Sequence, residues 1–363
     1  MTIDKSYFKN PLKSFCVVSL FVAAVVSSSF VLSQNSRLFD QDSALDAVLT
    51  VPLTQAYNAK AGAINPYFSG QLSYKGGGED VTRLPLKVRP RGNFRRANCD
   101  MPPLRLNFPK KAVKGTLFHG QDKLKLVGPC KPGGIYQDLV GLEFLAYQVF
   151  ASVSDYAFDT RLMNLNFVDS DKKLKPRSTT AFVIEHASDL AKRTNLKDID
   201  PDKAKRTELD LQETALLEIF SLFIANNDYS TLIGMPGDTC CHNVQLLEPS
   251  EPGAKLIPVP YDFDMSGLVN APYAAPPGTL PILKVRQRYF SGWCKSTEYF
   301  DAAVEKFKSK EATIMGLVDS ASYLSSSAKK RTKKYFNEFY EMVGDSERYE
   351  NEVINRCRGN VIN

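Results

Sequence analysis

Histidine is scarce in this chain, with three among 363 residues, and there is one tryptophan. The seven cysteines include no Cys-x-x-Cys pair, so cysteine and histidine do not fall at the spacing of a structural zinc site. A Gly-x-Ser-x-Gly elbow is missing as well. With so few histidines, a Ser or Cys hydrolase triad is hard to assemble. An excess of one charge is also lacking: 46 Lys and Arg stand against 40 Asp and Glu, a net +6. The lysines come in scattered pairs (Lys110-Lys111, Lys172-Lys173, Lys329-Lys330, Lys333-Lys334) that read as solvated faces and argue against nucleic acid as a partner. Beyond the N-terminus no apolar run approaches membrane-spanning length.

What the chain does contain is the composition of a globular protein, 43% hydrophobic and 24% charged, enough to bury a substantial core. Lys5, Lys9 and Lys13 precede an uncharged run from Ser14 to Ser33 that ends among small residues. That order is the pattern of a secretory signal over residues 1–33, or of an uncleaved anchor, the one route by which this chain would meet a membrane. Export, to the periplasm, cell envelope or medium, makes disulfides the default for Cys99, Cys130, Cys240, Cys241, Cys294 and Cys357. Cys99 and Cys130 bracket two strand-like runs and are expected to pair. Cys240 or Cys241 is expected to reach Cys294, since a bond between adjacent cysteines demands a special peptide geometry.

Residues 34–64 read as a polar leader containing a short amphipathic stretch, Ala44 to Leu53. Gly76-Gly77-Gly78 with Glu79-Asp80 marks a turn. Alternation of apolar and polar side chains then predicts strands at 84–88, 104–108 and 123–127, and hence a β-rich N-terminal region. Leu139, Leu142, Leu145, Ala146 and Val149 recur at helical spacing. Strands are expected again at 161–168 and 180–184. Residues 189–205 read as a polar, helical or lid-like surface insertion, 209–224 as an amphipathic helix, 244–247 and 255–259 as a hairpin, and 298–343 as helical. The main domain is placed at 65–345 and a tail at 346–363, in an α+β fold.

The most informative stretch is Pro260-Tyr261-Asp262-Phe263-Asp264-Met265-Ser266-Gly267, after the apolar run Leu256 to Val259. In extended backbone, residues i and i+2 face one side, so Asp262 and Asp264 would offer two hard oxygen ligands together. Upstream lie Asn226-Asn227-Asp228 at a helix end and His242-Asn243 at a strand start. Asp228 could accept a hydroxyl proton. Asn243 would add a neutral oxygen to a divalent ion, while His242 is assigned no chemistry. Arg91-Gly92-Asn93, with Arg95 and Arg96 behind it, joins a backbone that can approach phosphate to bidentate donors. Glu143 lies on the first long helix, and Glu185 ends the strand Phe182-Val183-Ile184.

In this order the residues resemble the CotH-like kinases, a secreted branch of atypical protein kinases, over roughly residues 65–345. The chain is also similar to exported bacterial proteins of that type that share Cys99, Gly120 to Val127, Cys130, the Pro-Tyr-Asp-Phe-Asp block and Cys294. The resemblance implies a protein-kinase-like fold of two lobes, a β-rich N-lobe and a helical C-lobe. It implies Asp228 as the catalytic acceptor of the hydroxyl proton. It further implies Asn243, Asp262 and Asp264 on Mg²⁺ or Mn²⁺, with Asp264 either a ligand or an anchor, and Arg91, Glu143 and Glu185 around ATP. The family's lysine-rich strand is here Pro103-Leu104-Arg105-Leu106, which leaves Arg105 or Lys125 to meet a phosphate. The Trp usual before the Asp-x-Asp is Tyr261. The implied activity is transfer of the ATP γ-phosphate to a protein Ser/Thr or a small-molecule hydroxyl. The alternative is a catalytically inactive kinase-like structural or binding protein of the envelope.

Overall fold

Alternating side chains control the first half of the structured chain. The structure, a computed structural model, describes residues 37–59, 65–75, 80–92, 94–294 and 297–359. The predicted signal segment, the glycine turn at 76–78 and Asn93 lie outside them. Seven strands, β1 (Leu45–Val51), β2 (Phe68–Lys75), β3 (Val81–Pro90), β4 (Leu104–Asn107), β5 (Lys123–Val127), β6 (Thr160–Asp169) and β7 (Arg177–Ile184), close into a barrel of order β1-β2-β3-β4-β5-β7-β6. Neighbours are antiparallel except at the seam, where β1 runs parallel to β6 from Leu45↔Met163 to Val51↔Asp169. Every second residue points inward, and Leu49, Leu72, Leu86, Val88, Leu106, Leu126, Met163 and Val183 fill the lumen. Closure leaves no open sheet edge.

Short helices α1 (Leu53–Asn58), α2 (Phe94–Asn98) and α3 (Lys110–Val113) decorate the barrel, and α4 (Gly134–Val153) follows β5. Next come α5 (Ala187–Arg193), β8 (Lys197–Ile199), α6 (Leu211–Ile224), β9 (Val244–Glu248) and β10 (Ile257–Pro260). The three strands form a second antiparallel sheet of order β10-β9-β8. Helices α7 (Thr297–Ser309), α8 (Glu311–Ser320), α9 (Ser326–Gly344) and α10 (Ser346–Glu352) complete the described chain. Helix α6 is apolar nearly all round because it is enclosed: Phe223 meets Phe307, Phe336 and Phe339 with ring centroids 5.1, 4.4 and 4.9 Å away. Each such side chain contributes about 1.5–3 kcal/mol by leaving water.

Several expectations are corrected. The protein-kinase-like pair of lobes is overturned. The β region is a closed seven-stranded barrel of mixed direction, and the C-terminal half carries its own three-stranded sheet among helices instead of being a helical lobe. The cause is β1. Residues 45–51, read as part of a leader, bury Leu45, Ala47, Leu49 and Val51 and supply the strand that closes the sheet. The segment at 189–205 holds most of the helix α5, as its helical reading expects, and in addition the strand β8, which pairs with β9. The stretch after 345 is not a loose tail, since α10 caps its N-terminus with Asp345 and Cys357 is bonded to Cys294.

Cys99 bonds Cys130, as their bracketing of β4 and β5 predicts. Cys240, however, bonds its neighbour Cys241 across a cis peptide bond, which brings the two Cα atoms to 2.9 Å, and neither reaches Cys294. These disulfides place the described unit in an oxidising environment. Among the described residues no helix is long and apolar enough to cross a membrane.

Candidate functional site

The site is assembled where α6 ends. Asp210 caps the helix start by accepting the Glu213 amide at 2.9 Å, and Ala225 ends it in a left-handed conformation, φ +49°. A non-glycine residue adopts that conformation only where the surroundings impose it. Here Gly267 N donates to Ala225 O at 3.0 Å and Leu268 N to Ile224 O at 2.9 Å. A Cβ on Gly267 would lie 2.8 Å from the Ala225 Cβ and 2.6 Å from Val285 O, so the block ending in Ser266-Gly267 needs its glycine for close approach. The chain leaving α6 then turns at Asn226, whose Oδ1 accepts from Asp228 N at 3.1 Å.

Asp228 is held on both carboxylate oxygens. His242 Nε2 lies 2.8 Å from Oδ1, and Asn243 Nδ2 donates to Oδ2 at 3.1 Å and to the Asp228 carbonyl at 2.7 Å. The Asp228 hydrogen bond raises the imidazole of His242 above its ordinary range, against burial, which lowers it. With its amide nitrogen committed to Asp228, Asn243 has its Oδ1 directed away from that residue. Asn243 and Asp262 both have positive φ, +52° and +64°, which Asn and Asp tolerate better than other side chains.

The Asp-Phe-Asp segment does not continue the strand, which ends at Pro260. The extended backbone on which the i, i+2 argument rests therefore stops before Asp262, although both carboxylates line the cleft. Phe263 is fully buried, 4.6 Å from the Tyr147 ring and 5.2 Å from Phe220, and locks the segment, while Tyr147 Oη accepts from Asp262 N at 2.9 Å. Asp264 turns inward, where Tyr273 Oη donates to it at 2.9 Å and Arg95 Nε approaches to 3.8 Å. It is the anchor. Asp262 lines the cleft, and among the described residues its carboxylate has no hydrogen bond or ion pair.

Behind Asp264 lies a buried pair. Arg95 on α2 donates to Glu143 on α4 at 3.1 Å and to Gly128 O at 2.7 Å. Burial pushes Glu143 and Asp264 up from the ordinary carboxylate range, the nearby Asp262 charge adds to this, and Arg95 opposes it. The Cys99–Cys130 bond lies immediately beyond α2, and Cys99 N donates to Arg95 O at 2.9 Å, so this disulfide also holds Arg95 in place.

The opposite wall is basic and comes from the barrel. Arg89, Arg105 and Lys125 are cross-strand neighbours on β3, β4 and β5, with Arg91 just past β3. Like charges directly opposite are unfavourable unless something negative joins them. Among the described residues Arg91, Arg105 and Lys125 form no ion pair, and the buried Nε of Arg91 has no hydrogen-bond partner. Lys125 Nζ stands 4.0 Å from the Tyr261 ring centroid and 5.5 Å from that of Phe158. Burial, and after it the charge of Arg91, bring this ammonium down to about 7. Burial and Arg91 also lower Arg105.

Between the walls is a cleft of about 830 Å³. Of the residues singled out from sequence, Arg91, Arg105, Lys125, Asp228, Asn243, Asp262 and Asp264 line it, and Glu143 stands behind Arg95. Glu185 is outside the lining. It is spent on a clamp, pairing with Arg193 at 2.6 Å and accepting Asp159 N at 2.6 Å, and burial raises it to about 7. Sequence reasoning gave no roles to Arg95 as the Glu143 partner, to His242, or to Tyr147 and Tyr273. Only the adjacency of His242 to Asn243 carried a local signal.

The residues present fit a hard divalent cation. Glu143 and Asp264 are engaged with Arg95, while Asp262 and Asn243 offer oxygen donors at the cleft. Among the described residues no three His, Cys, Asp or Glu side chains form a complete metal cage. Such a cation would therefore take most of its oxygens from phosphate and water, as Mg²⁺ usually does. No protein-family model matches this sequence, and comparison with curated proteins yields no match.

Proposed function

We propose that this protein is an exported phosphotransferase that takes the γ-phosphate from ATP, with Mg²⁺ or Mn²⁺, and passes it to a hydroxyl of a protein Ser/Thr or a small molecule. The observation that carries the reading is the opposition of two walls: unpaired cations at Arg91, Arg105 and Lys125 face an unpaired carboxylate at Asp262. A polyphosphate answers the first wall and a divalent cation the second. The order of residues shared with the CotH-like kinases supports the same chemistry. The proposal rests on the site and not on the fold. Export into the periplasm, the envelope or the medium accords with the disulfides and the basic, apolar order of residues 1–33.

In this reading Arg91, Arg105 and Lys125 bind and orient the phosphate chain. Asp262 and Asn243 would hold the cation, which would supply charge neutralisation at the phosphate oxygens. Asp264 and Glu143 fix Arg95 and the segment carrying Asp262. The acceptor oxygen bonds to the γ-phosphorus as the bond to the β,γ-bridging oxygen breaks, ADP departs, and the hydroxyl proton passes to Asp228. His242 holds Asp228 in orientation and stabilises its charge.

Calorimetry of the mature protein with ATP, with and without Mg²⁺ or Mn²⁺, tests this directly. Metal-dependent ATP binding is expected. Absence of nucleotide binding with either metal would sink the reading and leave an envelope protein without catalysis.

A further inference from the structure

The segment between Asp228 and His242 forms an arch, and its far part, from Met235 to Cys241, borders the cleft. The base of the arch is fixed. Ser230 N donates to His242 O at 2.9 Å, His242 N to Ile233 O at 3.1 Å, and Cys240 N to Pro201 O at 2.8 Å. Its two sides touch at Gly234, where a Cβ would collide with the Thr239 carbonyl oxygen, so glycine permits the contact. The arch also stays close to the acceptor side of the site. The hydrogen bond from Asp228 is the chief cause that raises His242, and the charge of Asp238, next to Thr239, adds to it.

Most hydroxyls near the cleft are already committed. Ser230 Oγ accepts Leu232 N at 3.3 Å and Ile233 N at 3.2 Å, and Thr231 is buried. Ser266 is buried as well, its Oγ accepting Val269 N at 3.4 Å. Tyr261 lines the cleft, but its ring packs against Lys125 and Phe158, and burial pushes its hydroxyl up to about 12. Thr239 differs from all of these. It is exposed, it lines the cleft, and among the described residues its hydroxyl makes no hydrogen bond. Among the described residues that line the cleft, it carries the one aliphatic hydroxyl.

We infer that Thr239 is a phosphorylation site filled by the chain's own cleft, in the same molecule. The inference rests on the proposed phosphotransfer from ATP and names an acceptor for it. Thr239 Oγ1 bonds to the γ-phosphorus, the bond to the β,γ-bridging oxygen breaks, ADP leaves, and the hydroxyl proton passes to Asp228. A hydroxyl tethered at the cleft needs no bimolecular encounter, which favours transfer within one molecule over transfer between two. The product carries a charge of about −1.5 to −2 and shares the cleft with Arg91, Arg105 and Lys125, which supply it with donors.

The test is incubation of the mature protein with ATP and Mg²⁺ or Mn²⁺, followed by intact-mass measurement and peptide mapping. One added phosphate is expected, on Thr239, at a rate per molecule that does not depend on protein concentration. Thr239→Val should lose that phosphate while binding ATP as the wild type does in calorimetry, and Thr239→Ser should retain it. Phosphate on another residue alone, or undiminished incorporation in Thr239→Val, would overturn the assignment. A rate per molecule that rises with protein concentration would also overturn it, by moving the acceptor to a second copy. Metal-dependent ATP binding with no phosphate on the protein would end the inference and leave the proposed phosphotransferase with an external acceptor. Absence of ATP binding would end both, so calorimetry tells the two failures apart.

Discussion

The two walls of the cleft solve opposite electrostatic problems. On the wall built from β3, β4 and β5, cations stand side by side without carboxylate partners, and burial lowers both Arg105 and Lys125. On the wall built from the end of α6, the start of β9 and the segment after β10, carboxylates gather. Three in or behind it are engaged, Asp228 by His242 and Asn243, Asp264 by Tyr273 and Arg95, Glu143 by Arg95, while among the described residues Asp262 and the exposed Asp238 form no side-chain hydrogen bond or ion pair. Neither wall is at its most stable alone. A barrel built only for stability would not line up Arg89, Arg105 and Lys125, and a core built only for stability would not leave Asp262 unpaired. The contrast separates residues that hold the site together from residues that await a ligand.

The sharpest way to break that contrast is at the free carboxylate. Asp262→Ala should abolish metal-dependent thermal stabilisation by ATP while leaving the melting temperature of the free protein almost unchanged. If the free protein unfolds instead, Asp262 belongs with the structural carboxylates. Asp228→Asn should keep ATP binding and lower phosphate transfer by about 10²–10⁴-fold, measured as autophosphorylation or transfer to a hydroxyl acceptor. A variant as fast as wild type would remove Asp228 from the chemistry.

Glu143→Ala should behave in the contrary manner, because it removes the shortest ion pair of the buried Arg95 and leaves only Asp264 at 3.8 Å and the Gly128 carbonyl. A loss of about 3–5 kcal/mol in denaturant unfolding is expected. Of comparable size is the loss of the Cys99–Cys130 bond, which closes a separation of 31 residues and is worth about 3–4 kcal/mol in the chain-entropy model. A Cys99→Ser, Cys130→Ser variant should also weaken ATP binding, since α2 carries Arg95. Unchanged affinity would show that the disulfide serves stability alone.

The effect at Lys125 is the one that depends on pH. Its ordinary value is 10.5 and it stands at about 7 in the folded protein. Below about pH 7 it is charged in both states, and the cost of burying the charge is present in full. Between about 7 and 10.5 the unfolded chain holds the proton and the folded protein does not, so stability rises with pH. Lys125→Met should therefore stabilise the free protein most near pH 6, with the advantage fading as pH approaches 10.5, while weakening ATP binding throughout. Lys125→Arg should flatten the fall of ATP affinity above pH 7, and an equally steep fall in that variant would assign the pH dependence elsewhere.

Much of the local structure was readable along the chain. Period-two alternation located β3, β4 and β5, strand-like runs matched β6 and β7, helical spacing located α4 and α6, and Asn and Asp residues beside apolar runs singled out Asp228, Asn243 and Asp262. These signals lie within a few residues of one another, where side-chain spacing and backbone preference act directly. The tertiary structure alone decided what joins distant segments. The parallel pairing of Leu45–Val51 with β6 turns a sheet into a barrel and a supposed leader into its seam. The packing of α2 on α4 makes Arg95 the partner of Glu143, and Arg193 removes Glu185 from the cleft by a clamp that no local pattern announces. The left-handed conformation at Asp262 breaks the extended backbone that the strand run before it suggested. Such pairings depend on register, closure and burial summed over the whole molecule, and a window of sequence carries none of these quantities.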